Sequence, residues 1–427
     1  MRRILGATQD ADGAHSMTAN DRLARARLRL VALIASVTIL STFFRASSGV
    51  IAPELTRDLE LTPELLGLAS GSFFIALGLA QIPVGMLFDR IGPRRTVGLL
   101  SVLAIAGALL HAVAHDGTTL IAARTLLGFG SAASFMSAVL LISRWFPRER
   151  LATALSWNFA LSQIGILLAA TPLAWVAATL GWRWAFAGAA VATAFVALAF
   201  HLAVRDDPPG AEPQRRSPEA LRSTLAGIVR VWRIPDLGRI LAMHLFAYAA
   251  MITVLGLWAG PYLADVHGLD AVARGNVLLA MGVAQAIGVL CVGPLDRLFN
   301  TRKWVIVGGA GATLAVLGAL ALISHPPTWL AVGLLVALCG VSTYSVVIVT
   351  HGRSLFPDDL AGRGVTTVNL AQVTGSAALP VATGAVLGWA SADRSEAGYR
   401  LVFAVIGLAL ASGLAVYLRA RDSKPRG

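Results

Sequence analysis

LLGLASGSFFIALGLAQIPVGMLFDRIGPRR, from Leu65 to Arg95, is the stretch of sequence that decides the fold. Its first part, residues 65–88, contains no charged side chain. At about 1.5 Å per helical residue it is long enough to cross a hydrocarbon core of about 30 Å. Charges begin at Asp89, where such a helix would leave the membrane. We therefore predict a membrane-spanning helix followed by a short charged loop.

The rest of the chain repeats this pattern. Of its 427 residues, 56% are hydrophobic and 14% are charged, which is too apolar for a soluble protein. Apolar blocks of about 20 residues or more, each long enough to cross a bilayer, recur along the sequence. They lie near residues 29–52, 65–88, 96–115, 118–143, 151–179, 182–204, 237–263, 273–296, 303–324, 328–352, 362–390 and 398–419. We predict an all-α integral membrane protein with twelve transmembrane helices.

The twelve helices divide into two halves. WFPRERLATALSWNFALSQ, from Trp145, matches LFPDDLAGRGVTTVNLAQV, from Leu355, and a repeat this long indicates duplication of a six-helix unit. A stretch rich in proline and charge, Arg205 to Ser223, separates the halves. The predicted units are an N-terminal tail 1–28, a six-helix bundle 29–204, a cytoplasmic linker 205–236, a second bundle 237–419 and a tail 420–427. The two bundles are expected to surround a central pathway.

Basic residues predict the orientation. The net charge is +12, but the basic residues occur in separate short loops instead of on one face, which argues against a nucleic-acid partner. With both termini in the cytoplasm, 28 of the 35 lysines and arginines fall on the cytoplasmic side, as the positive-inside rule requires. Cys291 and Cys339 lie within apolar blocks, so neither a disulfide nor a metal site is expected. We predict a multi-pass protein of the cell inner membrane.

The charged loop after the second helix carries the first family resemblance. GMLFDRIGPRR, Gly85 to Arg95, resembles the signature loop between the second and third helices of the major facilitator superfamily. We expect Gly85 to allow close helix approach and Asp89 to lie at a helix N-terminus, where the helix dipole favours an anion. The resemblance implies that these two residues, Arg90 and Arg94 form a gate.

Two further stretches add to this resemblance. GPLDRLFNTRK, Gly293 to Lys303, is a second copy of the loop and contains Asp296 and Arg297, but it has one extra residue before its basic pair. This difference predicts a looser second gate. RTLLGFGSA, which contains Arg124, Gly128 and Gly130, resembles the R-x-x-x-G-x-G helix of the family. The resemblance implies a coupling or structural role, in which the arginine tunes the proton of a neighbouring group.

An arginine within the first predicted helix indicates the substrate. In FFRASSGVIAPEL, Arg45 lies well inside the apolar block, where a charge is costly and usually functional. It resembles the first-helix arginine of organic-anion and sugar-phosphate exchangers, which implies binding of a carboxylate or phosphate. The alternative is that Arg45 pairs with helix carbonyls or with Glu54. Those exchangers typically carry a second cation on the seventh helix. Here the seventh helix carries His244 at most, which favours a substrate with a single anionic group.

Polar side chains within other spans are further candidates for substrate binding, because buried amides need partners. They are Asn158, Gln163, Tyr248, Gln285, Asn369 and Gln372. The alternative interpretation is that they form contacts between helices or belong to an aromatic belt. No aspartate or glutamate lies deep within a predicted span, so proton coupling has no evident carboxylate carrier.

These observations predict a secondary active or facilitative transporter that moves a small organic solute with an anionic group by alternating access. It is expected to act as a monomer, without a cofactor and with or without a coupled ion. A drug or metabolite efflux carrier and an amino acid or peptide transporter are alternatives with the same fold. A non-transporting membrane sensor is another. A membrane enzyme is disfavoured, because the sequence contains no P-loop, H-E-x-x-H or G-x-S-x-G motif.

Overall fold

The computed structural model describes residues 19–208, 230–357, 360–390 and 395–425, and this part of the chain is helical without β-strands. The N-terminal half contains α1 Ala19–Asp58, α2 Pro63–Ala112, α3 Gly117–Ser131, α4 Ser134–Trp145, α5 Arg148–Ser162, α6 Ile164–Leu168, α7 Thr171–Thr179 and α8 Trp182–Ala203. The C-terminal half contains α9 Leu237–Thr253, α10 Ala259–Asp265, α11 Ala271–Val292, α12 Leu295–Leu298, α13 Lys303–Leu322, α14 Thr328–Val341, α15 Ser345–Ser354, α16 Ala361–Ala390 and α17 Glu396–Tyr417. A π-helical turn, Val254–Trp258, joins α9 to α10, and a 3₁₀ turn, Ser342–Tyr344, joins α14 to α15.

Twelve membrane crossings follow from these helices. Eleven segments of the described chain are long and apolar enough to cross a membrane. One of them, α2, has 50 residues, about twice what one crossing needs. Its backbone breaks at Gly92, where φ is 81° and ψ is 163°, a conformation that residues other than glycine rarely adopt. Helix α2 therefore makes two crossings. The twelve crossings confirm the predicted fold of two six-helix bundles.

Large apolar side chains cover the outside of the bundle. Leu322 is 78% exposed, Leu290 76%, Phe195 72% and Trp389 86%. A water-soluble protein rarely exposes so many side chains of this kind together, whereas a multi-pass membrane protein turns them towards lipid. The outer surface therefore agrees with the helix lengths.

The positions of the chain termini define the two sides of the bundle. Because the number of crossings is even, the start of α1 and the end of α17 lie on the same side. We call this side the termini side and the opposite side the far side. Helix α1 reaches the far side at Asp58, and α9 with α10 reaches it at Asp265.

The two halves pack tightly on the far side. Gly49 of α1 lies against the backbone of Leu255 and Gly256 in the π-helical turn. A Cβ added to Gly71 would lie 2.7 Å from the Ala377 carbonyl oxygen of α16. Small residues allow this backbone approach between membrane helices. The interface between the halves is thus built from glycines on the far side.

Two polar contacts strengthen the same interface. Arg274 of α11 forms a buried ion pair with Glu54 of α1. The Thr171 hydroxyl donates a hydrogen bond to the Asn276 Oδ1 atom at 2.9 Å. Each contact joins the N-terminal half to the C-terminal half near the far side. The far side is therefore closed in this structure.

Candidate substrate-binding site

Arg45 lies on α1 near the middle of the membrane and is half-buried. Its guanidinium carbon lies 5.9 Å from the centre of the Phe74 ring. Its Nε atom is buried without a hydrogen-bond partner, and within the described residues Arg45 forms no ion pair. Glu54 pairs with Arg274 instead. The alternative in which Glu54 neutralises Arg45 is therefore wrong, and this structure shows no hydrogen bond from Arg45 to a helix carbonyl.

The π-helical turn of the C-terminal half packs on the segment of α1 that carries Arg45. A Cβ on Gly256 would lie 3.7 Å from the Arg45 carbonyl oxygen. Gly260 packs against the Gly49 carbonyl oxygen, one turn further along α1. π-helical turns inside α-helices are frequent at functional sites. Arg45 therefore lies where the two halves meet.

A second arginine, Arg124 on α3, contacts the turn of α1 that carries Arg45. Arg124 is 1% exposed, and its Nη1 atom donates a hydrogen bond to the Phe44 carbonyl oxygen at 2.6 Å. Its guanidinium carbon lies 4.9 Å from the centre of the Phe73 ring, and the Phe73 and Phe74 rings are 5.4 Å apart. Each of these two neighbouring rings therefore contacts one arginine.

The charges of Arg45 and Arg124 are not compensated. The Nε and Nη2 atoms of Arg124 are buried without hydrogen-bond partners. No carboxylate within the described residues forms an ion pair with either arginine. A buried cation without a counter-ion is costly, so a ligand with a negative charge would be stabilised here. The sequence analysis named Arg124 but identified no partner for it.

Two of the predicted polar residues lie within about two helical turns of Arg45 in depth, towards the termini side. Gly165 packs on the backbone of Phe43 in α1, and Gly282 of α11 packs on Ile166. Gln163 and Gln285 each lie within one helical turn of these contacts. Gln285 is buried, and its Oε1 atom has no hydrogen-bond partner. Gln163 is half-buried at the junction of α5 and α6.

The other predicted polar residues are more dispersed. Asn158 is buried about two turns from Ile166 towards the termini side, and its Oδ1 atom has no hydrogen-bond partner. Gln372 lies beside His244. Neither ring nitrogen of His244 forms a hydrogen bond in the described part of the chain. Asn369 and Tyr248 are half-buried. No described hydrogen bond joins any of them to Arg45.

Gly128 and Gly130 have a clear packing role. A Cβ on Gly130 would lie 2.5 Å from the backbone nitrogen of Ala104, and a Cβ on Gly128 would collide with the Phe73 carbonyl oxygen. These two glycines seat α3 against both crossings of α2. The base of the Arg124 side chain is therefore held in place.

The first charged loop differs from the expectation. Gly85 has no atom within 4 Å of the position a Cβ would occupy, so the prediction of close helix approach there is wrong for this structure. Asp89 lies in the last turn before Gly92 and not at the start of a helix, so that prediction is wrong as well. Asp89 and Arg90 are exposed and, within the described chain, make no hydrogen bond or ion pair. The physical reason is that the halves pack together on the far side, away from this loop.

A carboxylate after α8 holds the other end of this loop. The Arg94 backbone N–H donates a hydrogen bond to the Asp206 Oδ1 atom at 2.8 Å. The Arg94 Nε atom donates to the His201 carbonyl oxygen at 2.6 Å. These bonds connect the start of the third crossing to the end of the sixth. Arg94 therefore bonds within its own half and not across the gate.

The second charged loop is more strongly bonded within its own half than the first, and the predicted looseness of the second gate stays a prediction. Asp296 is buried and forms an ion pair with Arg302 at 3.5 Å; Arg297 is exposed. The extra residue is accommodated by a left-handed backbone at Asn300, with φ of 51°, which asparagine tolerates. It lengthens the turn without separating Asp296 from the basic pair.

Asp422, after α17, holds the second loop as Asp206 holds the first. It accepts hydrogen bonds from the Thr301 hydroxyl at 2.6 Å and from the backbone N–H groups of Lys303 at 3.0 Å and Arg302 at 3.2 Å. Neither Asp206 nor Asp422 was among the residues predicted from the sequence. The signal that identifies them is the Arg-Asp pair directly after the last helix of each half, at residues 205–206 and 421–422.

Sequence and structure comparisons agree on one family. A model of the Major Facilitator Superfamily matches residues 34–350 and 241–427. A protein of Agrobacterium vitis named as a tartrate transporter is 22% identical over 423 residues, which cover 94% of this chain and 92% of that protein. The D-galactonate transporter of Escherichia coli is 22% identical over 69% of this chain and 73% of its own length.

A solved structure has the same fold. It is a bacterial homologue of the human lysosomal transporter Spinster, in an inward-facing and occupied conformation. It superposes with a TM-score of 0.77 at 17% identity and covers 92% of this chain and 96% of that one. These findings confirm the prediction of a transporter instead of a membrane enzyme. The chain belongs to the Major Facilitator Superfamily.

Proposed function

We propose that this protein moves a small organic anion across the cytoplasmic membrane by alternating access and that Arg45 binds the anionic group. The observation that carries the proposal is the unpaired guanidinium of Arg45 near the middle of the membrane, next to a second buried arginine. The predicted spans contain no aspartate or glutamate deep within them that could neutralise these charges. The site is therefore positive.

The chemistry of a guanidinium favours a carboxylate as ligand. Its planar N–H groups can donate two parallel hydrogen bonds to the two carboxylate oxygens. The relatives named for tartrate and D-galactonate support this class of substrate, since both molecules are hydroxylated carboxylates. Gln163 and Gln285, about two helical turns from Arg45 towards the termini side, are proposed to bind the hydroxyl groups. Asn158, Tyr248, Asn369 and Gln372 are proposed to line the route between the halves.

Alternating access is supported by the asymmetry between the two sides of the bundle. The glycine contacts and the Glu54–Arg274 ion pair close the far side. The free space at Gly85 and the unpaired Asp89 lie towards the termini side. The distribution of basic residues supports a cytoplasmic location for the termini side. We propose that this conformation opens to the cytoplasm and that transport requires the far-side contacts to separate.

The proposed units are those expected from the sequence, a bundle 29–204 and a bundle 237–419. Most of the linker 205–236 lies outside the described residues, as do residues 1–18 of the N-terminal tail and 426–427 of the C-terminal tail. The protein is proposed to act as a monomer surrounded by lipid, with the signature-loop residues Gly85, Asp89, Arg90, Arg94, Asp296 and Arg297 as gate residues.

A thermal-stability screen tests the proposal. We would measure the unfolding temperature of the purified protein with D-galactonate, L-tartrate and D-galactonamide, an uncharged analogue of the first. We expect one of the two anions to stabilise the wild type, D-galactonamide to have no effect, and Arg45→Ala to lose the stabilisation. The matched control is Arg183→Ala, which removes a guanidinium that contacts Trp182 and Asp58 near the far side.

Two results would contradict the proposed function. The first is that neither anion stabilises the wild-type protein or enters vesicles that contain it. The second is that Arg45→Ala keeps the full stabilisation while Arg183→Ala loses it. Either result would remove Arg45 from the site.

A further inference from the structure

We infer that Arg124 is a positioning residue for Arg45: it holds the turn of α1 that carries Arg45 and does not itself contact the substrate. The inference rests on the proposed function, because it requires Arg45 to bind the anion. It also assigns to Arg124 a role different from the one the family resemblance implies, which is tuning the proton of a neighbour.

The first step is the hydrogen bond from Arg124 to α1. Its acceptor, the Phe44 carbonyl oxygen, belongs to the peptide group that directly precedes Arg45, at 2.6 Å from the Arg124 Nη1 atom. Hydrogen bonds from a charged donor are roughly twice as strong as neutral ones. The same carbonyl also accepts a hydrogen bond from the Ser47 hydroxyl at 3.2 Å. This hydrogen bond from Arg124 is the anchor of α1. Its loss would rotate the α1 backbone and, with it, the Arg45 side chain.

The second step is that Arg124 is itself held on a rigid base. Its guanidinium lies over the Phe73 ring, and Gly128, one turn later on α3, packs against the Phe73 backbone. The Phe44 ring is buried and lies 6.3 Å from the Phe186 ring of α8. Helices α1, α2, α3 and α8 thus meet at this point. A side chain fixed on α3 therefore sets the position of the α1 backbone.

The third step is the difference in exposure between the two arginines. Arg124 is 1% exposed, whereas Arg45 is half-buried. Arg45 keeps exposed surface, whereas Arg124 is almost fully enclosed, so a ligand could contact Arg124 only after the surrounding helices move. The competing explanation is that the unpaired Nε and Nη2 atoms of Arg124 wait for the ligand. The two explanations make different predictions for a double mutant.

A double-mutant cycle distinguishes them. We would measure the Kd of D-galactonate or L-tartrate, whichever stabilises the wild type, for the wild type, Arg45→Gln, Arg124→Met and the double variant. We expect Arg124→Met to weaken binding about 10- to 50-fold in the wild-type background, as expected for a coupling mediated by a contact. In the Arg45→Gln background we expect a further change of less than about twofold, because Arg124 acts through Arg45.

A conservative variant tests whether a charged donor at position 124 is sufficient to restore binding. We expect Arg124→Lys to recover most of the affinity, since an ammonium group can also donate to the Phe44 carbonyl oxygen. If Arg124→Met does not fold, Phe73→Leu is the substitute, because it loosens the Arg124 side chain without removing it. Its effect should likewise disappear in the Arg45→Gln background.

The outcomes separate the inference from the proposed function. Equal loss of affinity from Arg124→Met in both backgrounds would overturn the inference, since Arg124 would then act independently of Arg45. Unchanged affinity in Arg124→Met would overturn it too. No effect of Arg45→Gln on Kd would instead contradict the proposed function.

Discussion

The two halves share a fold but differ in charge at the middle of the membrane. The N-terminal half carries Arg45 and Arg124 there, without ion-pair partners among the described residues. The corresponding part of the C-terminal half carries neutral groups such as Gln285 and Gln372. Among the described residues of this half, Arg274 lies at the interface and is neutralised by Glu54 from the other half. The two halves thus share a scaffold, while the arginines without ion-pair partners among the described residues lie in one half.

The charged loops show the opposite difference. In the N-terminal half, Asp89 is exposed and unpaired in the described structure, and a single hydrogen bond connects Asp206 to Arg94. In the C-terminal half, Asp296 is paired and Asp422 accepts three hydrogen bonds. The half with the weaker loop therefore carries the charged site.

The largest expected effect concerns the ion pair that joins the halves. Glu54→Gln leaves the buried Arg274 without a counter-ion, and breaking a buried pair costs about 3 kcal/mol. We expect the far side to open more often, because only the closed conformation loses this contact. The measurement is labelling of Ala52→Cys by a membrane-impermeant thiol reagent from the far side, in a protein without Cys291 and Cys339.

Two variants control this experiment. Asp58→Asn weakens an ion pair with Arg183 inside the N-terminal half and should leave the labelling rate unchanged. The charge reversal Glu54→Arg with Arg274→Glu should restore slow labelling. Slow labelling in Glu54→Gln itself would show that the pair does not close the far side.

A smaller effect is expected from the aspartates that hold the charged loops. Asp422→Ala removes three hydrogen bonds at the start of α13, whereas Asp206→Ala removes one at the start of the third crossing. We expect a loss of about 1 to 2 kcal/mol in the first variant and about 0.5 to 1 kcal/mol in the second. Thermal unfolding in detergent measures both. Equal losses would contradict the difference between the loops.

The same contact has a pH dependence. Partial burial pushes the pKa of Asp422 upwards, but hydrogen bonds from Thr301, Lys303 and Arg302 outweigh it and hold this pKa below its usual value. A depressed pKa in the folded state stabilises the protein above the unfolded-state pKa of about 3.9. This stabilisation is lost as the pH falls through the folded-state pKa. The difference in stability between wild type and Asp422→Ala should therefore be full at pH 6 and shrink as the pH falls below the unfolded-state pKa of about 3.9.

A third expected effect concerns the neutral half. Gln285→Leu removes a buried amide oxygen without a hydrogen-bond partner, so the stability of the empty protein should stay equal or rise. If Gln285 binds a substrate hydroxyl, the Kd of the bound anion should rise about fivefold, since a neutral hydrogen bond contributes about 1 kcal/mol. The ratio of affinities for anion and uncharged analogue should not change. A change in that ratio would place charge recognition in the C-terminal half.

The smallest effect is expected at Gly85. A Cβ there would meet no atom within 4 Å, and alanine favours a helix by up to about 1 kcal/mol relative to glycine. We expect Gly85→Ala to leave the unfolding temperature unchanged or slightly higher. A marked loss of stability would show that the halves approach each other at this loop more closely than the structure describes.

The sequence was sufficient for the fold, because crossing length and charge distribution are local properties of the chain. It also identified Arg45, since a charge in an apolar block stands out. It did not predict the pairing of Glu54 with Arg274 or the hydrogen bond from Arg124 to Phe44, because both join residues far apart in the chain. The predictions of close helix approach at Gly85 and of a helix N-terminus at Asp89 were wrong for a different reason. Their contacts depend on which side of the bundle is closed, and a sequence motif does not specify the conformation.

The most direct test of the account is a comparison of how Arg45 and Gln285 recognise charge. We would measure the Kd of D-galactonate or L-tartrate and of the matching uncharged amide for the wild type, Arg45→Gln and Gln285→Leu. We expect the wild type and Gln285→Leu to prefer the anion by the same factor and Arg45→Gln to lose the preference. An undiminished preference in Arg45→Gln would contradict the claim that the N-terminal half carries the anion site.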